Sequence, residues 1–415
     1  MPRWGQYVVD RRPLGIPAYR RLWLAALITA VGGSFSLIAI PARLFTLTGS
    51  SAYIGISSVI SLATLVVSAL WGGAFADVVD RRRLLLATNA GLAATYALLW
   101  LHSVSGNESA WVLLVLVGVQ GLCFGANMAT MGAVLPRVVP LGLLPAANSL
   151  SSLVRQTGSI VGPLMAGVLI PLIGLGALFL LDTLALTVVL WAVYRLPALP
   201  TAGQSLRRPS VGQLTDGFHY LFGRRILLAV LAVDLSAMAF GLPVALFPEL
   251  AERSYGGPSG GGFALGALFA AYPVGVFVMG LLSGTFTRAR RHGALMAGAA
   301  MAWGVTMIGL GLAPTLWLGL AFLTVGGAVN FVLSTFRNAI TQTHSDDEML
   351  GRVQGSLTVV LIGGPQLAGV LHGLAGAALG PAWAIAGGGV LVVVAVALIV
   401  RAVPAMWRYT SPAVS

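Results

Sequence analysis

Asp234 is a single carboxylate inside an apolar run, 226–248. A charge placed in hydrocarbon is costly and marks an ion or substrate path by default. It lies ~13 Å into its run at 1.5 Å per residue. There it can carry a proton, bind a cationic substrate or make a structural hydrogen bond. Arg155 and Asp182 are further charges inside apolar stretches. Rise-per-residue arithmetic puts them at similar depth, so they are expected to neutralise one another as a structural pair. Arg155 is alternatively available to an anionic substrate. Arg43 and Glu249 stand near the outer ends of two apolar runs, as an outer gate pair or as plain interfacial charges.

A different cluster runs Gly72-Gly73-Ala74-Phe75-Ala76-Asp77-Val78-Val79-Asp80-Arg81-Arg82-Arg83. Such a charge knot must sit in water between two membrane helices. Polar side chains within apolar runs can line a path for a small molecule: Ser34, Asn127, Gln156, Tyr272, Asn330 and Gln366. Met238 and Phe240 can supply an adaptable apolar wall. Each of these is also ordinary helix-packing material.

The elements that must position these groups are membrane spans. The 415 residues are 57% hydrophobic and 9% charged, where a soluble domain carries ~25% charge. A span needs ~20 apolar residues. Such runs number about twelve, at 22–47, 54–76, 84–104, 110–135, 146–170, 175–194, 226–248, 261–286, 294–312, 315–337, 354–374 and 378–401. All 24 basic residues are arginine. With a cytoplasmic N-terminus, only Arg43, Arg155 and Arg253 fall outside inner loops, inner span ends and termini, leaving 21 inside. That bias sets the topology, with both termini cytoplasmic. The net charge of +12 is thus a topology signal and not a nucleic-acid footprint. Cys123 is the only cysteine, which excludes disulfides and thiolate metal sites.

The expected organisation is a cytoplasmic N-terminal segment 1–21, a bundle 22–194, a linker 195–225, a second bundle 226–401 and a tail 402–415. The halves repeat. "GPLMAGVL" at 162–169 returns as "GPQLAGVL" at 364–371, and "PARLF" at 41–45 as "PVALF" at 243–247, both 202 residues on. "RRLWLA" at 20–25 returns as "RRILLA" 204 residues on, and the charge knot returns, without its acids, at 284–292, 211 residues on. Four matches in register predict an all-α membrane protein of two pseudo-symmetric six-helix bundles.

Gly73-x3-Asp77-x3-Arg81-Arg82 resembles the loop 2–3 signature of the major facilitator superfamily. Gly158-x3-Gly162-Pro163-x3-Gly167 resembles the span 5 motif of its proton-coupled antiporters. "FTLTGSSAYIG", "GGAFADVVDRRRLLLA" and "TQTHSDDEMLGRVQG" narrow the resemblance to the drug and siderophore exporter subfamily, the one that includes the enterobactin exporter. Val78 and Asp80 depart from the usual loop signature, which carries a basic residue and a glycine there.

The resemblance implies alternating access. It places span 2 against span 11, where Asp77 would accept from the amides at the start of span 11. Arg81, Arg82 and Arg83 would meet Asp346, Asp347 and Glu348, with Ser345-x-x-Glu348 reading as a capping box. Plain solvated surface pairs are the alternative. The span 5 glycines would let that helix approach the other bundle closely. The function so implied is proton-coupled export of amphipathic drugs or siderophores from the cytoplasm across a bacterial plasma membrane. The protein is expected to be a monomer that uses the proton gradient and no cofactor. A dedicated catecholate siderophore exporter and an uncoupled lipid or small-molecule facilitator are the alternatives. No nucleophile–base pair or metal cluster suggests an enzyme.

Overall fold

Chains this apolar satisfy their backbone in lipid by forming helices, and every regular element among the described residues is helical. The structure, a computed structural model, describes residues 10–78, 80–106, 108–196, 219–258, 260, 262–286 and 289–410; side chains at 69–78, 129, 132–137, 141, 347, 348, 350–352, 354, 355 and 358 lie outside the description. The helices are α1 (Pro17–Gly32), α2 (Phe35–Thr48), α3 (Ala52–Val78), α4 (Arg81–Val104), α5 (Ala110–Val138) and α6 (Leu144–Tyr194). After the linker come α7 (Arg225–Gly241), α8 (Gly262–Leu281), α9 (His292–Leu312), α10 (Leu316–His344), α11 (Asp347–Leu379) and α12 (Pro381–Ala402).

Among the described residues ten helical segments are long and apolar enough to cross a membrane, and Ala52–Ser68 is a shorter apolar one. One of the ten, α6, has 51 residues, more than twice what ~30 Å of hydrocarbon needs. It reverses at Gly174, whose φ of 78° only glycine adopts easily. Its first arm runs alongside α1: the Tyr19 hydroxyl donates to Ala147 O and Trp23 Nε1 to Leu150 O. Its second arm runs back along α4, with Ser103 beside Gly176 and Arg82 beside Tyr194. With α1 and α2 as one broken span and α6 as two, each of the twelve expected spans has its helix. Trp111, Trp317 and Trp383, at the starts of α5, α10 and α12, are exposed.

The chain clusters into two compact units. One holds residues 1–49, 60–203 and 258–266; the other holds 50–59, 204–257 and 267–415. Each unit therefore takes one short stretch from the opposite half of the sequence, and each stretch is seated on glycines. In the first unit, a Cβ at Gly167 would lie 2.9 Å from Gly266 Cα and 3.1 Å from Gly262 O. In the second, a Cβ at Gly373 would lie 2.8 Å from Gly55 Cα, and one at Gly55 3.3 Å from Gly369 O. Gly167 and Gly369 are related by the 202-residue offset of the repeat, and Gly55 and Gly266 by the 211-residue offset. The two seams are thus repeats of one another.

Three local expectations change. Gly158 and Gly162 seat against Ala30 and Ser34 of span 1, so of the span 5 motif it is Gly167 and the carbonyl of Pro163 that meet a stretch from the other sequence half, at Gly266. Asp80 is the N-cap of α4, accepting from the amides of Arg82 at 2.8 Å and Arg83 at 3.3 Å; a glycine there would leave those donors open. The capping box does not form, because Ser345 closes α10 and Asp346 is the N-cap position of α11.

Candidate substrate and proton site

In the second unit, α7, α8, α9, α10 and α11 surround a cavity of about 230 Å³. Asp234 and Met238, one helical turn apart, enter from α7; Tyr272 enters from α8 and Trp303 from α9. Asn330, Ser334 and Arg337 lie along one face of α10 and complete the polar wall.

Asp234 and Arg337 form a buried ion pair, their side chains 2% and 8% exposed. Arg337 Nη1 donates to Asp234 Oδ1 at 2.8 Å and to Oδ2 at 2.9 Å. Its Nε and Nη2 donate to Asn338 Oδ1 at 3.3 and 3.2 Å. The guanidinium is thus held from both sides, which offsets the cost of burying two charges. Tyr272 donates to Asn330 Oδ1 at 2.9 Å. Trp303 donates to Ala237 O at 3.0 Å, and its ring meets the Tyr272 ring edge-on at 5.6 Å. The wall therefore carries one exchangeable charge pair beside aromatic and thioether surface, a combination that suits an amphipathic ligand.

Four sequence candidates meet here: Asp234, Met238, Tyr272 and Asn330. Arg337 was missed. The apolar run was taken to end at 337, which made this arginine one more inner-end charge; α10 continues to His344. Two signals could have found it. Asp234 required a cation partner in the membrane, and Arg337 lies seven residues from Asn330, on the same helix face.

The other candidates lie elsewhere. Asn127 donates to Thr88 Oγ1 at 3.1 Å and ties α5 to α4. Ser34 Oγ donates to Val31 O at 2.7 Å in the break of span 1. Phe240 and Gln366 are half-buried and do not line the cavity. Gln156 is half-buried on α6.

The Arg155–Asp182 pair does not form. Arg155 is exposed on the first arm of α6, while Asp182 is fully buried and accepts from Ser36. Equal depth does not fix the direction in which two side chains point, and that direction keeps these apart. Nor is Glu249 left for Arg43: within its own unit it is paired with Arg253 at 2.6 Å and accepts from Ser51 Oγ. The i,i+4 spacing on one helical turn makes Arg253 the nearer partner.

Of the knot and its expected partners, Gly73, Asp77, Asp347 and Glu348 lie outside the described side chains. Arg81 is half-buried at the start of α4. Arg82 turns to its own unit, donating to Tyr194 O with its guanidinium 5.3 Å from the Tyr194 ring. Asp346 is taken by Arg224 Nη2 at 2.6 Å and the Tyr220 hydroxyl at 2.9 Å, the same hydroxyl that accepts from Asp346 N. Residues just before α7 therefore hold the acid that the arginines of the knot were expected to meet.

This fold is shared with solved transporters. A bacterial homologue of the human lysosomal transporter Spinster matches with a TM-score of 0.73 at 14% identity, over 97% of this chain and 100% of that one. The nucleoside transporter NupG matches with a TM-score of 0.70 at 14% identity, over 94% and 99%. The protein is a multi-pass secondary transporter of the major facilitator superfamily, not an enzyme. Over residues 10–411 the chain matches the family described as transmembrane secretion effectors, and it belongs to that family. It is similar to the enterobactin exporter EntS of Shigella boydii and of Escherichia coli O1:K1 / APEC, in each case 27% identical over 402 residues, 96% of this chain and 95% of the relative.

Proposed function

We propose that this protein is a proton-coupled antiporter that exports amphipathic small molecules from the bacterial cytoplasm, acting as a monomer with both termini cytoplasmic. The observation that carries this reading is the Asp234–Arg337 pair on the wall of the cavity. While ionised, Asp234 is satisfied by Arg337. A proton on Asp234 removes its hold on the guanidinium, and a cationic group of a substrate competes for the same carboxylate. Proton and substrate then exclude one another at one site, which is the requirement for exchange. Tyr272, Trp303 and Met238 supply the apolar surface, and Asn330 and Ser334 the hydrogen bonds. The glycine seat of span 5 suits a contact that resists leakage, and Asp77 with the arginines of the knot remains our proposal for an inner gate.

A second reading is export of a catecholate siderophore. The guanidinium of Arg337 favours it, since an anionic ligand would take Arg337 and leave Asp234 to bind a proton. The full-length similarity to an exporter of enterobactin points the same way.

The test is a pH trace on the purified protein in lipid and weak buffer. A lipophilic phosphonium cation is expected to release protons from the wild type and none from Asp234→Asn. A catechol carboxylate that instead takes protons up supports the second reading. A flat trace with tight binding of either probe overturns proton coupling.

A further inference from the structure

Asp182 is a second carboxylate within the membrane, and the exchange site gives it no task. It is fully buried on the second arm of α6, ~12 Å along the helix from the Gly174 turn at 1.5 Å per residue. Its donors include the amide of Ser36, at 2.6 Å, and the Ser36 hydroxyl, with the Phe35 amide beside them. Oδ1 has no partner. Ser36 lies in the first turn of α2, where span 1 is interrupted at Gly33 and Ser34. The amides of that turn lack a helical acceptor, and a carboxylate there also meets the favourable end of the helix dipole.

We propose that Asp182 is a second proton-binding site, built at the break of span 1 and separate from Asp234. Burial in hydrocarbon favours the neutral acid, while the Ser36 amide and the helix end favour the anion. Neither side has the locking partner that Arg337 gives Asp234: among the described residues no cation pairs with Asp182. The Ser36 hydroxyl fits both states. It donates to the anion, and by rotating it accepts from the acid. Proton exchange thus needs no rearrangement of the backbone. A metal cation fits less well. Two of the last carbonyls of α1 at the break already accept hydrogen bonds, Thr29 O from Gly33 N at 2.7 Å and Val31 O from Ser34 Oγ at 2.7 Å, and among the described residues Asp182 is the one carboxylate there, against the several oxygens a metal shell needs.

The helices packed on this arm carry few other titratable groups near Asp182. From α4 it is Tyr96, whose hydroxyl accepts from Gln120 Nε2 at 2.9 Å and which lies within electrostatic reach of Asp182. His102, farther along α4, has Nε2 on Ser109 O at 3.2 Å. On α2, Arg43 is seven residues beyond Ser36, ~10 Å along the axis. The charges of α1, Arg20 and Arg21, and those of α4, Arg81, Arg82 and Arg83, lie at the far ends of their helices.

The experiment is infrared difference spectroscopy of the full-length protein in liposomes, following the C=O stretch of protonated carboxyl groups through a pH titration. Asp182→Asn is expected to remove one titrating component that Asp234→Asn retains. Ser36→Ala keeps the carboxylate but removes a donor to the anion; it is expected to move that component by about one unit to higher pH. If Asp182→Asn fails to fold, the Ser36→Ala shift decides. A titration identical to wild type in Asp182→Asn, or an unmoved component in Ser36→Ala, overturns the proposal. A wild-type protein that releases no protons on substrate addition but still shows this component would sink the Asp234 reading and leave Asp182 standing.

Discussion

Breaking the Asp234–Arg337 pair should cost more than removing it whole. The two side chains are 2% and 8% exposed, with Nη1 2.8 and 2.9 Å from the two carboxylate oxygens. Water cannot take over the role of a lost partner. Arg337→Gln leaves a buried carboxylate without its cation, and Asp234→Asn leaves a buried guanidinium held only by Asn338. Each single change is expected to destabilise the protein by about 3–5 kcal/mol. The double variant Asp234→Asn/Arg337→Gln leaves two neutral amides able to bond one another, so its cost should fall below that of either single. The assay is a double-mutant cycle on the purified protein, unfolded by titration with sodium dodecyl sulfate in mixed micelles. The reasoning is refuted if Arg337→Gln costs under about 1 kcal/mol, the range of a surface pair, or if the two single costs add. Transport should be lost in all three variants, because the neutral pair has no proton to exchange.

Three further outcomes follow from particular contacts. Gly167→Val should abolish folding or transport, since even a Cβ lies 2.9 Å from the Gly266 backbone; normal transport by this variant would contradict the seam. Asp80→Ala should destabilise α4 by about 0.5–2 kcal/mol through loss of its N-cap, seen as faster amide exchange at Arg82 and Arg83. Asp346→Asn should change stability by no more than about 1 kcal/mol, because the Arg224–Asp346 pair is 39% and 59% exposed; a larger loss in thermal melting would give this corner a heavier structural role.

Much of the architecture was legible because lipid imposes it. A backbone in hydrocarbon must be helical, and arginine must stay near water, so apolar runs between arginines mark the spans. Asp234 stood out for the same reason: a carboxylate in such a run needs a partner.

Partners were another matter. Depth along a helix follows from 1.5 Å per residue, but the direction of a side chain depends on how helices rotate and break. Asp182 therefore met Ser36 and not Arg155, because the break at Gly33–Ser34 turned an amide towards it. Arg337 became the partner of Asp234 because α10 continues to His344, seven residues past the expected end of the span, and holds Arg337 within the helix. Glu249 and Asp346 took cations from their own surroundings, Arg253 and Arg224, before any distant arginine could serve. The sequence by itself determined the spans and the need for a buried charge to be satisfied. Only the tertiary structure decided which group satisfies it, since hydrogen bonds act over 3 Å or so and helix rotation moves side chains by more than that.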